Sequence, residues 1–411
     1  MTVQWVSGDL MVIDPARSGA MTLKPGTLKL VDGHIDEQIL GEHHPHPDWG
    51  GADCIIAPGW IDAHVHLPQF DMIGAHGLPL LKWLHEVTFP EESRWADVDH
   101  AAAMTERVIG QFFAHGTVMV AAYATAHAAS TRRAMEIASR RGLRGLIGHV
   151  LLDRECPQEW ITPIAQQIED TAELIESYPP GSKLSAAVTP RFAVSCSEDL
   201  LSAAGSLTKQ KNAFVQTHVS ETLPECQFVR EHFDGRDYVQ VYANAGLITP
   251  QTLLGHAIHL SDRERDVLAE QRAVVVHCPT ANSFLRSGAM NRHETMERNV
   301  RLALGSDVGA GYERSMVRVA RAMIETAAAL GDAIPTCPQA WWQITHGNAL
   351  ALGLDETDRL SQEQPADLLV IRPDVPWRDG AVPALNQLLF SWDDRWIRHT
   401  LIAGEPVYSA S

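Results

Sequence analysis

The chain changes its pattern of apolar and polar positions twice, and the two changes divide it into three stretches. Residues 1–57 contain short apolar runs punctuated by Asp, Pro and Gly, a pattern typical of strands joined by tight turns. From residue 58 to residue 365, apolar runs alternate with amphipathic segments of helical length. Residues 366–411 return to short apolar runs. We therefore predict two groups of strands that flank a region of alternating strands and helices.

The central region contains eight predicted strand–helix units. The first strand follows the turn at Pro58 and Gly59 and ends at His66. The other predicted strands are 116–122, 143–152, 184–188, 213–218, 252–256, 273–277 and 300–304. Parallel strands joined by helices close into a (β/α)8 barrel when eight such units follow one another. An open doubly wound sheet would be favoured by a glycine-rich phosphate loop, and the sequence has none.

The two chain ends carry further strand signals that can pair into one small module. The predicted strands are 10–13, 27–31 and 35–40 near the start and 367–371, 397–402 and 405–408 near the end. We expect an α/β fold, a TIM-like (β/α)8 barrel with a small β-sandwich built from both chain ends. The predicted domain limits are 1–57 and 366–411 for the sandwich and 58–365 for the barrel.

The composition indicates a folded protein and restricts its partners. Hydrophobic residues make up 45% of the chain and charged residues 20%, values typical of globular proteins. The formal net charge of -18 disfavours nucleic acid and anionic membranes, because their phosphates would be repelled. The sequence shows neither a membrane-spanning apolar run nor a leader peptide, so we expect a cytoplasmic protein. The six cysteines are scattered without a C-x-x-C pair, which predicts free thiols.

Histidines and one aspartate lie at, or just beyond, the ends of several predicted barrel strands. His64 and His66 are separated by one residue, so on a strand their side chains project from the same face. The other residues near strand ends are His218, Glu221, His256 and Asp307. In a barrel of this type, functional groups gather at the carboxyl ends of the strands. Imidazoles and a carboxylate suit zinc or iron with one position left for water, whose pKa the metal would lower towards neutrality.

Each of these residues taken alone has a structural explanation. A single histidine at a strand end is more often a hydrogen-bonded structural residue, and Asp307 could cap the next helix. Glu221 could be an ordinary acid in the first turn of a helix. The joint occurrence at successive strand ends is what predicts a metal site, and Glu221, three residues after His218, can then move protons in the same cleft.

The histidine pattern resembles the signature of the amidohydrolase superfamily, which comprises His64-x-His66, then His218, His256 and Asp307. Within that superfamily the chain is similar to the guanine deaminases. The further stretches that carry this similarity are 78–84, 88–90, 189–192, 216–221, 277–280 and 305–309. The pattern His-x-His is shared by many hydrolases, whereas Thr-Phe-Pro at 88–90 and Thr-Pro-Arg-Phe at 189–192 are much more specific.

The resemblance implies hydrolysis of guanine to xanthine and ammonia by a metal-activated water. It implies one zinc ion, or one iron ion, held by His64, His66, His218 and Asp307, with His256 either a further ligand or the residue that orients the water. The implied catalytic residues are Glu221, Asp307 and His256. The residues implied to contact the purine are Gln69, Trp83, Arg191 and Phe192. The resemblance also implies a homodimer.

The other notable polar residues are predicted to lie outside this site. The histidine-rich stretch 43–46 lies among proline and aspartate residues, for which we predict a solvated loop. The superfamily resemblance leaves His115, His127, His149 and His346 unmatched, and we predict that they are structural or that they support the site residues from behind. Enzymes of the superfamily that bind two metals use a lysine at the end of a middle strand. Here Lys183 precedes its predicted strand, which favours a single metal.

Two alternatives remain open on the sequence alone. The same site could deaminate another amino-heterocycle, such as a pterin, a modified purine or a triazine, because a few pocket side chains decide among these rings. A non-catalytic relative would keep the barrel as an interaction scaffold. Relatives of that kind lose metal ligands, and every ligand position is filled here.

Overall fold

Two β-sheets and the helices that connect their strands make up the fold, in a computed structural model that describes residues 2–354, 359–378 and 380–410. The strands are β1 (Val3–Ile13), β2 (Met21–Val31), β3 (His34–Leu40), β4 (Trp49–Pro58), β5 (Trp60–His66), β6 (Thr117–Tyr123), β7 (Arg144–Leu151), β8 (Leu184–Pro190), β9 (Phe214–Val219), β10 (Thr252–His256), β11 (Val274–His277), β12 (Arg301–Leu304), β13 (Leu368–Ile371), β14 (Ile397–Ile402) and β15 (Glu405–Ser409). The α-helices are α1 (Leu80–Trp83), α2 (Phe89–Ser93), α3 (Val98–Ala114), α4 (Ala128–Arg140), α5 (Ile164–Ser177), α6 (Glu198–Lys211), α7 (Leu223–His232), α8 (Tyr238–Asn244), α9 (Asp262–Glu270), α10 (Pro279–Phe284), α11 (Arg292–Glu297), α12 (Met316–Leu330), α13 (Cys337–Trp342), α14 (Asn348–Ala351) and α15 (Ala384–Phe390). Among the described residues, no helix is both long and apolar enough to cross a membrane.

Strands β5 to β12 form an eight-stranded sheet in which neighbours in space follow one another along the chain. All seven of its strand pairs are parallel. Every residue of β6 and of β8 is buried, because helices cover the outer face and side chains fill the inside. The predicted (β/α)8 barrel is confirmed, and the limits predicted for β10 are those observed.

The barrel closes between β12 and β5 through hydrogen bonds made just beyond β12. The Asp307 backbone N–H donates to the His64 carbonyl over 2.8 Å. The Asn348 side-chain amide bridges the two strands, since it donates to the carbonyls of Ile61 and Leu304 over 2.8 and 2.7 Å. Closure therefore brings Asp307, which follows the last barrel strand, beside His64 of the first barrel strand.

The second sheet contains strands from both ends of the chain, in the order β15-β14-β13-β4-β1-β2-β3. The predicted terminal strands lie within β1, β2, β3, β13, β14 and β15. Ile35 of β3 and Leu401 of β14 lie far apart in the strand order. They nevertheless share an apolar cluster with Leu10 and Leu28, which shows that the sheet curls over one face. Apolar packing between distant parts of one sheet gives the sandwich arrangement that the sequence predicts.

Strand β4 is the strand that the sequence analysis missed. Its first half reads as a turn because it contains Gly50, Gly51 and Asp53. In the structure β4 pairs in parallel with β1 and antiparallel with β13, so it joins the amino-terminal strands to the carboxyl-terminal ones. The chains approach closely at Gly8, where a Cβ atom would lie 2.7 Å from the Cys54 carbonyl oxygen. The terminal sheet is therefore mixed rather than wholly antiparallel.

Candidate active site

Four of the five residues named as possible metal ligands converge at the carboxyl-terminal mouth of the barrel. His64 and His66 end β5, His218 is in β9, and Asp307 follows β12. One ligand atom from each residue lies within 4.8 Å of the others. His64, His66 and Asp307 are buried, and His218 is partly buried. The barrel therefore holds three imidazoles and one carboxylate in a compact group that is shielded from solvent.

The nitrogen and oxygen atoms of this group face one another as ligands of a shared cation would. The Nε2 atoms of His66 and His218 are 3.2 Å apart, and the Nε2 atoms of His64 and His66 are each 3.3 Å from Asp307 Oδ1. His218 Nδ1 lies 2.6 Å from the Arg191 carbonyl oxygen, which can only accept, so Nδ1 carries the proton and Nε2 keeps its lone pair. The residues present fit a divalent metal ion.

The pKa shifts of His64, His218 and Asp307 favour their unprotonated, metal-binding forms. Burial lowers the pKa of His64 to about 4 and holds the pKa of His218 well below its ordinary value. Burial alone would raise the pKa of Asp307, but its hydrogen-bonding and charge interactions with His64, His66 and His256 together outweigh burial and hold that pKa well below the usual carboxyl range. Neutral imidazoles and a carboxylate are the states in which these side chains bind zinc or iron.

His256 and Glu221 lie beside the four-residue group and are not members of it. His256 Nε2 is 3.5 Å from Glu221 Oε2 and 3.8 Å from Asp307 Oδ2. Its Nδ1 lies 2.8 Å from Asn282 Oδ1, while the Ser287 hydroxyl donates to Glu221 Oε1 over 2.7 Å. Burial raises the pKa of Glu221. The backbones of His256 and Asp307 are in the left-handed region, with φ of 70° and 51°, a strain that is characteristic of functional sites.

A cavity opens over this cluster, and all four predicted substrate contacts line it. The lining residues are His66, Gln69, Leu80, Trp83, Leu84, Arg191, Phe192, His218, Glu221, His256, Leu285, Asp307 and Ala310. The polar and ionisable groups are combined with leucine and aromatic side chains. A flat ring with polar edges is the type of ligand that such a lining suits.

The aromatic residues of the cavity contribute rings rather than hydrogen bonds. The Trp83 indole N–H donates to the Ala75 carbonyl over 2.9 Å, so its ring is what remains for a ligand. Phe192 is 5% exposed and follows Arg191 directly at the end of β8. Together with Leu84 and Leu285, these rings give the cavity apolar walls.

The polar residues Gln69 and Arg191 share a partner that the sequence analysis did not identify. Gln69 Nε2 donates to Glu92 Oε1 over 2.6 Å, and Gln69 Oε1 accepts from the Gly309 backbone N–H over 3.2 Å. The Arg191 guanidinium donates to both Glu92 oxygens, over 2.6 and 3.1 Å. Glu92 therefore connects the two side chains that the resemblance places against the purine.

Three supporting residues, Glu92, Asn282 and Ser287, were missed from sequence. Glu92 lies two residues after the specific stretch 88–90, a position that could have directed attention to it. Asn282 follows the stretch 277–280 in the same way. No sequence signal distinguishes Ser287, which lies in a loop after α10 and is buried.

Among the described residues, the remaining histidines belong to no second metal-type group. In the stretch 43–46, His43 Nε2 is 3.4 Å from Asp9 Oδ1 and the His44 ring stacks on Trp5 at 4.7 Å. His115 Nδ1 bonds the Gln111 carbonyl over 2.8 Å. The other three histidines predicted to be structural are His127, which flanks α4, His149 in β7 and His346 just after α13.

Lys183 lies at the far end of the barrel from the ligand group. It immediately precedes β8, whereas Arg191 follows the carboxyl end of the same strand. The Lys183 side chain lines a different cavity, together with Arg144 and Asp367. A lysine that bridges two metals at the mouth is thus absent from the end of β8.

The chain is similar to known proteins in both sequence and structure. The model of the amidohydrolase family matches residues 55–407. The chain is 35% identical to a guanine deaminase of Dictyostelium discoideum over 309 residues, which cover 73% of this chain and 69% of the relative. It is 31% identical to the guanine deaminase of Escherichia coli over 86% of this chain and 83% of the relative. A guanine deaminase structure from C. acetobutylicum with bound guanine in the active site superposes with a TM-score of 0.91 and 28% identity, covering 99% of this chain and 100% of that one.

Proposed function

The chain belongs to the amidohydrolase family and, within it, to the guanine deaminases, and we propose that it hydrolyses guanine to xanthine and ammonia. The observation that carries the proposal is the joint composition of one cavity. His66, His218 and Asp307 of the ligand group line it together with Glu221 and Arg191. Metal-binding, proton-transferring and ring-binding groups thus face the same space.

We propose one zinc ion as the metal, with iron as the other ion that this ligand set accepts. The support is the four-residue group of three imidazoles and a carboxylate, within which His64 Nε2 is buried 3.3 Å from Asp307 Oδ1. The position of Lys183 supports a single ion. A divalent ion held there would lower the pKa of a water molecule and so provide hydroxide near neutral pH.

The protein's own proton transfers are assigned to Asp307 and Glu221. Asp307 Oδ1 faces His64 and His66, which leaves Oδ2 to accept a proton from the attacking water. Glu221, initially protonated, gives its proton to the ring nitrogen beside the amino-bearing carbon. After the new C–O bond has formed, Asp307 passes the proton taken from the water to the amino group, the C–N bond breaks and ammonia leaves. The new hydroxyl group returns its proton to Glu221 as the carbonyl forms. His256 Nε2 lies between these two carboxylates, where it can orient the water, and we assign it this role rather than metal ligation.

The purine is proposed to lie between the apolar walls, with its polar edge towards Gln69 and Arg191. An amide offers both a donor and an acceptor, and a guanidinium offers donors alone, which suits the carbonyl oxygen and ring nitrogens of guanine. Trp83 and Phe192 contact the ring faces. These contacts orient the amino-bearing carbon towards the ligand group.

A substrate screen tests the proposal against deamination of other rings. Metal-replete protein is assayed for ammonia release and ultraviolet change with guanine, other amino-purines and pterins. Rapid turnover of guanine is expected. Brisk turnover of another ring with none of guanine would overturn the substrate, and no turnover of any ring would favour the scaffold alternative.

Three further properties are proposed. A cytoplasmic location is supported by cysteines that are all free, as a reducing compartment requires. A homodimer rests on the resemblance to guanine deaminases, and light scattering of the purified protein measures it. The domain limits at 57/58 and 365/366 stay predictions that limited proteolysis can test.

A further inference from the structure

A buried carboxylate, Glu92, lies behind the polar wall of the substrate cavity. It belongs to α2 and is 2% exposed. Glu92 Oε1 accepts from Gln69 over 2.6 Å and from Arg191 over 3.1 Å, and Oε2 accepts from Arg191 over 2.6 Å. Gln69 and Arg191 line the cavity, whereas Glu92 is not among the lining residues. Any effect of Glu92 on a ligand must therefore pass through these two neighbours.

The three hydrogen bonds join parts of the fold that are distant in sequence. Glu92 and Arg191 are 99 positions apart, and Gln69 lies 23 positions before Glu92, in the segment that follows β5. A buried carboxylate is costly unless both oxygens have partners, and here both do. Replacing a buried, fully hydrogen-bonded ion pair by apolar residues is often neutral for stability. Stability alone therefore does not explain why an ion pair is present here, and its effect on the geometry of the neighbouring side chains is the better explanation.

The first geometric consequence concerns the amide of Gln69. Its Nε2 must point to the Glu92 carboxylate, which only accepts, and its Oε1 must point to the Gly309 N–H, which only donates. A Cβ atom at Gly309 would lie 2.2 Å from the backbone carbonyl oxygen of Gln69, so this close approach needs glycine. Turning the amide over would set donor against donor and acceptor against acceptor. Gln69 is thus left with one N–H and one lone-pair direction for a ligand.

The second consequence concerns the charge of Arg191. Both terminal nitrogens of its guanidinium bond the Glu92 carboxylate, and its Cζ lies 5.6 Å from the centre of the Phe89 ring. This fork fixes the plane of the guanidinium and compensates its charge within a site shielded from water. The donors that remain can bind a neutral carbonyl or ring nitrogen. An anionic ligand gains less from this wall than from an uncompensated arginine.

We propose that Glu92 is a positioning residue that determines ligand selectivity: it fixes the Gln69 amide and compensates Arg191, so that the cavity prefers neutral, carbonyl-bearing purines to anionic ones. The inference rests on the proposed function, because Gln69 and Arg191 contact the substrate only if a purine occupies this cavity. It also gives the specific stretch 88–90 a physical meaning, since the same short helix carries Phe89 and Glu92.

The test compares the full-length wild type with Glu92→Gln and with a matched control, Glu91→Gln. The control carboxylate is on the same helix and bonds Arg94, whose side chain is 52% exposed, over 2.6 Å. For each protein we would measure kcat/KM for guanine and the competitive inhibition constants of hypoxanthine, which is neutral, and urate, which is anionic at neutral pH. Metal content and the unfolding midpoint are measured in parallel.

Glu92→Gln should lower kcat/KM for guanine about 100-fold, the effect of a small misplacement of a bound substrate. The ratio of inhibition constants should move towards tighter urate binding by about tenfold or more, because Arg191 would lose its counter-charge. The control should stay within about twofold of the wild type on both measures, since exposed ion pairs contribute little.

Three results would contradict the inference. They are an unchanged ratio of inhibition constants, a kcat/KM within about threefold of the wild type, or a loss of activity fully explained by lost metal or lost folded protein. If Glu92→Gln does not fold, Glu92→Asp is the second variant, which retains the negative charge on a side chain one methylene shorter. It should lower kcat/KM for guanine while leaving the ratio of the two inhibition constants near the wild-type value. A wild type that does not turn over guanine would instead refute the proposed function.

Discussion

Replacing Glu221 with glutamine separates proton transfer from metal binding in this site. The glutamine is isosteric, its carbonyl can still accept from the Ser287 hydroxyl, and its amide can donate to His256 Nε2, so the local structure should persist. The four-residue metal group does not include Glu221. What is lost is a group that moves protons at two steps. Because positioned acid–base groups contribute about 10²–10⁴-fold, we expect kcat to fall by about 10⁴-fold while KM changes little.

The assay for this variant follows the ultraviolet conversion of guanine to xanthine, with metal measured on the same sample. One equivalent of metal per chain should remain. Glu231→Gln is the control, since Glu231 is exposed on α7 and its only described partner is Gln227, over 2.8 Å. The control should keep kcat within about twofold. Turnover by Glu221→Gln within about tenfold of the wild type would remove Glu221 from the mechanism, and loss of the metal would assign it a ligand role.

Three further predictions concern residues around the site. Ser287→Ala removes the hydrogen bond to Glu221 Oε1. It should lower kcat about tenfold at unchanged metal content, because a charge-assisted hydrogen bond contributes a free energy of that size. An unchanged kcat would show that this hydrogen bond does not position the carboxylate. Burial raises the pKa of Glu225 from 4.5 to about 7, so between these pH values the folded protein keeps a proton that the unfolded chain has released, and stability falls as pH rises. Urea titrations at a series of pH values give the free energy of unfolding, and its decline with pH should be about 3 kcal/mol smaller in Glu225→Gln than in the wild type. An equal dependence of the unfolding free energy on pH in the two proteins would refute the assignment. Lys183→Ala should retain full activity and bind one metal ion per chain, as the wild type should. A wild type that binds two metal ions per chain, one of which is lost in Lys183→Ala, would refute the single-metal site.

The features predicted from sequence are those set by local pattern. A buried parallel strand is a continuous apolar run, so β6 to β12 could be placed to within a few residues. The ligands follow strand ends, and barrel geometry brings strand ends together whatever the loops do. Strand β4 departs from this rule because its glycines and aspartate resemble a turn, while its pairing is decided by β1 and β13 on either side.

The residues missed from sequence owe their roles to packing between distant segments. Ser287 reaches Glu221 across 66 positions and Glu92 reaches Arg191 across 99. Neither contact leaves a mark in periodicity or spacing, because a serine in a loop and a glutamate on a short helix are ordinary surface residues in a sequence. Only the fold shows that both side chains are buried beside the cavity. The role of His256 was likewise left open, and its distances to two carboxylates support water orientation.

The most direct test of the central claim is to incubate metal-replete protein with guanine in water enriched in oxygen-18 and to analyse the product by mass spectrometry. Hydrolytic deamination predicts xanthine that carries one oxygen-18 atom, at the carbon that bore the amino group, with one ammonia released per xanthine. Guanine recovered unchanged, or xanthine without the label, would contradict the account.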